Sequence, residues 1–320
     1  MLHMETEQTY MNARRDIAVG ESTFIKAHRK KLLSGLPADY WELTKPEISF
    51  LVLLATLAGF LLGSEAMGHL DGWLLLHTLI GTAFTAAGSG VLNHAMEYRW
   101  DALMRRTANR PLPAGRIAVR QAYILGILLS ILGVGYLYAM VNVLTALLAG
   151  STILLYIFLY TPTKRVTTLN TLIGCIPGAL PALGGWAAAT GSLDPGGWAL
   201  YAILFFWQMP HFLSLAWMYR KDYARAGFAM LPVVDETGTR TARQMVLYTI
   251  LLVLTSLLPY FMGLTGTLYL TGALLLGIYF LVPVFRFYRH RTNQQARKIL
   301  LASIVYIPAL LAIIFVDLLL

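Results

Sequence analysis

The chain is 320 residues long, 57% hydrophobic and only 13% charged, with a formal charge of +9. That is too apolar for an ordinary soluble domain. A single cysteine, Cys175, excludes an intrachain disulfide and a cysteine-based metal site; inside an apolar run it reads as a small core residue.

Residues 1–38 contain no apolar run and mix Arg14, Arg15, Lys26, Arg29, Lys30 and Lys31 with scattered acids. This is not a signal peptide, and Glu5, Glu7, Asp16 and Glu21 argue against an organelle transit peptide. A disordered cytoplasmic arm is expected, then a short interfacial helix over Asp39–Lys45. Residues 39–320 form the membrane domain in this reading. Its nine apolar segments run over about 47–65, 73–97, 119–140, 143–161, 168–189, 197–219, 244–263, 267–286 and 299–319. Each approaches the roughly 20 residues that a helix needs to cross a bilayer.

All 25 lysines and arginines lie before the first segment or around the connections 2–3, 4–5, 6–7 and 8–9. The other connections have none. The positive-inside rule puts the N-terminus in the cytoplasm and the C-terminus outside. The positive charge is therefore a topology signal, and nucleic-acid binding is set aside. The absence of a transit peptide favours a bacterial plasma membrane. Gly59 with Gly63, and Gly174 with Gly178, have the spacing that lets helices approach closely in lipid. Pro177, Pro181 and Pro210 are expected to kink segments five and six and help open a cavity. The fold expected is all-α, nine transmembrane helices around a central cavity open to the cytoplasmic side.

The long connections 2–3 and 6–7 carry the chemistry. Asn93, Glu97 and Asp101 are spaced i, i+4, i+8 and share a helix face. Oxygen donors stacked about 6 Å apart suit a hard cation such as Mg2+. Arg105, Arg106 and Arg110 follow immediately. Acids beside arginines make sense around a metal-bound polyphosphate, with the acids on the metal and the arginines on phosphate oxygens. The plainer reading is a solvated charge cluster at a helix end. Asp222, after segment six, is either a second carboxylate for that metal or an ordinary interfacial acid. Lys164 and Arg165 either complete the anion site or simply set topology. Gln208 and His211 lie inside segment six, where polar groups are costly and so are functional candidates. His211 could contact a substrate carboxylate or a metal, move a proton, or bond a neighbouring helix. His94 lies on another face and reads as a packing or supporting residue. Trp100, Trp207, Trp217, Tyr98 and Tyr219 fit an aromatic belt, and some could offer π faces to an allylic cation.

At these residues the chain resembles the UbiA superfamily of membrane prenyltransferases. The stretch Asn93-xxx-Glu97-xxx-Asp101-xx-Met104-x-Arg106-Thr107-xx-Arg110-Pro111-Leu112 is similar to that family's first motif, in the form found in its haem branch. Thr44-Lys45-Pro46, Tyr160-Thr161 with Lys164-Arg165, and Gly185-Trp186 with Thr190-Gly191 extend the resemblance. So do Trp207-Gln208-x-Pro210-His211-Phe212, Asp222-Tyr223-xx-Ala226-Gly227 and Met230-Leu231-Pro232-Val233-Val234. It covers about 43–316. Arg99 stands where many bacterial members have a middle acid, and Glu47 where an arginine often follows Lys-Pro. The resemblance implies farnesyl transfer from farnesyl diphosphate to haem B, giving haem O. Asn93, Glu97, Asp101 and Asp222 would hold Mg2+, and Arg106, Arg110, Lys164 and Arg165 the diphosphate. His211 and Gln208 would lie on the haem side, and a haem-modifying enzyme or oxidase could take the product. Two rivals stay open: prenylation of a quinone precursor, and a transporter or lipid-binding membrane protein.

Overall fold

A computed structural model describes residues 37–320. The expected arm over 1–38 lies outside these residues up to position 36. The described chain is helical. A short α1 (Pro37–Leu43) is followed by α2 (Pro46–Met67), α3 (Gly72–Asp101), α4 (Val119–Met140), α5 (Val143–Thr163), α6 (Asn170–Thr190) and α7 (Pro195–Met218). Then come two short helices, α8 (Arg220–Arg225) and α9 (Leu231–Val234), and the long α10 (Thr239–Phe261), α11 (Thr267–His290) and α12 (Asn293–Asp317).

Among the described residues nine helices are long and apolar enough to cross a membrane. They coincide with the nine expected segments, and the chain is an integral membrane protein. The main difference lies at the ends. α3 runs on through Glu97 to Asp101, so the whole donor series is helical. α1 spans Pro37–Leu43, ending earlier than expected because Lys45 takes a left-handed conformation before Pro46; its Asp39 accepts from Arg116 Nε at 2.7 Å.

Consecutive long helices are neighbours, and α12 returns to pack on α7 and α2. α6 and α7 are the most buried of the nine. Local chemistry sets several ends. Asp71 caps α3 by accepting from Trp73 N and Leu74 N. Asn142 caps α5 and also donates to Ala187 O, tying the start of α5 to the end of α6. Pro177, Pro181 and Pro210 all sit inside unbroken helices. The expected central cavity is not shown; one small hollow, between α2, α6, α7 and α12, is about 10 Å3 and wholly apolar.

The tightest helix contact joins α2 to α6. A Cβ on Gly59 would stand 2.0 Å from Ala182 O, and one on Gly185 would stand 2.0 Å from Thr56 O. Both backbones pass at a distance that only glycine permits. Gly63 faces the same helix at Ala189 and Thr190. Gly174 and Gly178 make room instead for the Tyr160 ring and the Gln208 amide. Gly184, next to Gly185, has open space around its Cβ position. Gly185→Ala is therefore expected to destabilise the protein by about 1–3 kcal/mol through overpacking, while Gly184→Ala leaves it unchanged. Paired thermal melts in detergent check this.

Candidate active site

The site is built on the last three turns of α3. Asn93, Glu97 and Asp101 are 1%, 6% and 2% exposed. A buried carboxylate must be paired or it neutralises. Each of these side chains meets a cation from another part of the chain. Lys164 Nζ, just past α5, donates to Glu97 Oε1 at 2.6 Å. Arg110 Nη1, from connection 2–3, donates to Asp101 Oδ2 at 2.9 Å. Lys45 Nζ, at the start of α2, donates to Asn93 Oδ1 at 2.5 Å. Asn93 Nδ2 completes the row by donating to Thr161 Oγ1 at 3.2 Å.

Local structure explains each arrival. Lys45 adopts a left-handed backbone (φ 50°, ψ 61°) immediately before Pro46. That conformation is costly for a residue with a Cβ, and such strain gathers at functional sites. Gly90 lets this turn approach, since a Cβ there would come within 3.1 Å of Thr44 O. The end of α5 widens into a π turn over Leu155–Tyr160, where Thr161 N donates to Tyr156 O. A π turn shifts the register of everything after it, here Thr161 and Lys164. Connection 2–3 folds back on the helix it leaves: Thr107 Oγ1 donates to Asp101 O at 2.8 Å. Trp100 and Met104 pack against Tyr223, Ala226, Phe228 and Met230. The two long connections thus form one rim.

Two of these basic side chains meet a carboxylate, while Lys45 meets a neutral amide. Burial, and then Arg110 and Lys164, push the Lys45 ammonium down to about 7. Burial acts the same way on Lys164, but Glu97 outweighs it and holds that ammonium above the ordinary lysine value. Such a cluster favours an incoming anion.

Around it, aromatic faces carry cations. Lys164 lies over Tyr160 (4.6 Å), Arg165 over Trp100 (5.0 Å) and Arg106 over Tyr219 (5.3 Å). Among the described residues Arg106 and Arg165 form no ion pair. Asp222 stands on α8. It bonds Arg225 at 3.1 Å and lines a hollow of about 270 Å3 with Arg105, Tyr219, Arg220 and Lys221. No group of three or more His, Cys, Asp or Glu that could hold a metal occurs among the described residues.

Below the rim, Gln208 Nε2 donates to Cys175 O (3.3 Å) and Leu204 O (3.2 Å), tying α7 to α6. His211 stacks on Trp207 (5.0 Å, 27°), and its Nδ1 bonds Ser303 Oγ of α12 at 2.8 Å. His94 is 2% exposed, and its Nδ1 has no partner. Sequence reasoning missed Lys45 as a member of the site. The signal was present in Thr44-Lys45-Pro46, but nothing in the chain order brings residue 45 beside residue 93.

Residues 52–307 match the model of the UbiA prenyltransferase family. The chain belongs to this family. It is an enzyme, a membrane prenyltransferase. The family's haem-branch resemblance is matched by similar curated proteins. The chain is 55% identical to the protoheme IX farnesyltransferase of Salinibacter ruber, over 87% of this chain and 98% of that one. It is 46% identical to that of Solibacter usitatus, over 87% and 98%. Among solved UbiA-fold structures, a digeranylgeranylglyceryl phosphate synthase superposes with a TM-score of 0.73 at 18% identity, over 88% and 97%. A UbiA homologue from Archaeoglobus fulgidus, described as bound to DMAPP and Mg2+, superposes with a TM-score of 0.62 at 18% identity, over 87% and 99%. At these identities the structures support the fold.

The buried Glu97–Lys164 pair gives a direct test. Lys164→Met strands Glu97 and is expected to cost about 3–5 kcal/mol. The double variant Lys164→Met/Glu97→Gln should recover most of that. Unfolding midpoints of the two proteins in the same detergent measure the difference.

Proposed function

We propose that this enzyme transfers the farnesyl group of farnesyl diphosphate to a vinyl group of haem B, giving haem O and diphosphate. The observation that carries the reading is the 55% identity, nearly end to end, with a protoheme IX farnesyltransferase. The stretch from Trp207 to Phe212 supports haem over an aromatic quinone precursor as acceptor.

The donor set fits magnesium. Asn93, Glu97 and Asp101 offer oxygen only, on one buried face, with Asp222 as a further carboxylate. Mg2+ commonly takes just one or two protein carboxylates and completes its shell with water and substrate phosphate, so a cluster of three acids is not required. The A. fulgidus homologue is described with the same ion and an isoprenoid diphosphate. When bound, the ion would supply positive charge against the departing diphosphate.

The protein's own residues do the rest. Arg106, Arg110, Lys164, Arg165 and Lys45 bind phosphate oxygens and stabilise the charge that grows on the leaving group. The farnesyl chain lies among apolar helices, which keep water from the allylic cation. Tyr160, Trp100 and Tyr219 already present π faces to cations at the rim and can do so to that carbon centre. As the C–O bond to diphosphate breaks, the haem vinyl group bonds to the allylic carbon, and water adds to the resulting carbocation and gives up a proton to solvent. His211 contacts the haem. The enzyme sits in a bacterial inner membrane with its N-terminus cytoplasmic and its C-terminus outside.

Membranes holding this protein, supplied with haem B and farnesyl diphosphate, should yield haem O. Prenylation of a quinone precursor instead, or no transfer at all, would overturn the reading. Chelating divalent cations should stop the reaction. Asp101→Asn should lower turnover by at least about a hundredfold, the scale seen when an electrostatic contact to a developing charge is lost. His211→Ala should impair haem binding while sparing diphosphate binding, which separate titrations would resolve.

A further inference from the structure

His211 lies about two turns, roughly 10 Å, before the rim end of α7 at Met218. Its surroundings specify more than its place. Ser303 of α12 is fully buried, and its hydroxyl donates to Leu300 O at 2.7 Å. A serine has a single hydroxyl proton. With that proton on Leu300 O, Ser303 Oγ acts as acceptor toward the imidazole, so the 2.8 Å contact requires the proton on His211 Nδ1. Nε2 is then the bare nitrogen, and no described residue hydrogen-bonds it. Trp207 reinforces the arrangement from both sides. Its ring stacks on the imidazole, and its Nε1 donates to Ser303 O at 2.8 Å. One residue of α12 is therefore held by two side chains of α7, and the ring is fixed in both plane and tautomer.

We propose that Ser303 is a positioning residue that holds His211 as the Nδ1–H tautomer, so that Nε2 serves as an axial ligand to the iron of the haem acceptor. This rests on the reading of haem as substrate. Histidines that bind metals almost always donate their other ring N–H to a fixed partner, which sets the ring's orientation and raises its basicity. A buried hydroxyl in an apolar helix is costly unless it is bonded; here both its bonds are made, one along its own helix and one to the imidazole.

The full-length protein in detergent is titrated with haem B and followed by absorption spectroscopy. Wild type is compared with Ser303→Ala, Ser303→Thr and His211→Ala. His211→Ala should lose the histidine-ligated spectrum. Ser303→Ala should bind haem about ten- to a hundredfold more weakly, with an altered ligand signature, the range for removing a ligand's supporting partner. Ser303→Thr keeps the hydroxyl and should restore both. Farnesyl diphosphate binding should be equal in all four. Independently, 15N NMR of histidine-labelled wild type should find His211 as the Nδ1–H tautomer. If Ser303→Ala keeps wild-type affinity and spectrum while His211→Ala loses them, Ser303 has no positioning role. Wild-type His211 found with its proton on Nε2 overturns the proposal without any variant. A wild-type spectrum from His211→Ala instead removes the histidine–haem contact itself, and haem O formation then judges the acceptor separately.

Discussion

Two carboxylates buried at the end of an apolar helix dominate this structure. Glu97 and Asp101 cannot remain charged in such a place without partners. Their cations come from beyond the end of α5 and from connection 2–3. The adjacent amide, Asn93, draws in a third cation from the start of α2. One helix face thereby gathers three distant parts of the chain. Lys45 meets an amide rather than an acid, so it alone of the three has no carboxylate partner.

Small residues make that convergence possible. Gly90 admits the Thr44–Lys45 turn, and Gly174 admits the Tyr160 ring on which the Lys164 ammonium rests. Gly59 and Gly185 bring α2 against α6. In lipid, helices gain little from burying apolar surface against each other, so close packing and interhelical hydrogen bonds carry more of the association. Bonds such as Asn142 to Ala187 O and Gln208 to Cys175 O are of this kind.

The polar clusters singled out above occupy two levels of the bundle. The rim holds the charged groups and their aromatic partners. The second level, about two turns lower, holds His211 with Trp207 and Ser303. Gln208, at similar depth, has its amide bonded to Cys175 O of α6 and to Leu204 O of its own helix.

The nine spans, and the shared face of Asn93, Glu97 and Asp101, were legible from sequence because hydropathy and the 3.6-residue period are local properties. The family was legible too, since its motifs are short and contiguous. Pairing was not. Lys45 beside Asn93, Lys164 beside Glu97 and Ser303 beside His211 all depend on how helices pack. A hydropathy pattern says which residues enter the membrane, but not which neighbour each helix will face. The sequence by itself determined the elements and the chemistry available. The tertiary structure decided which charges meet, because burial makes pairing obligatory and only helix packing supplies the partner.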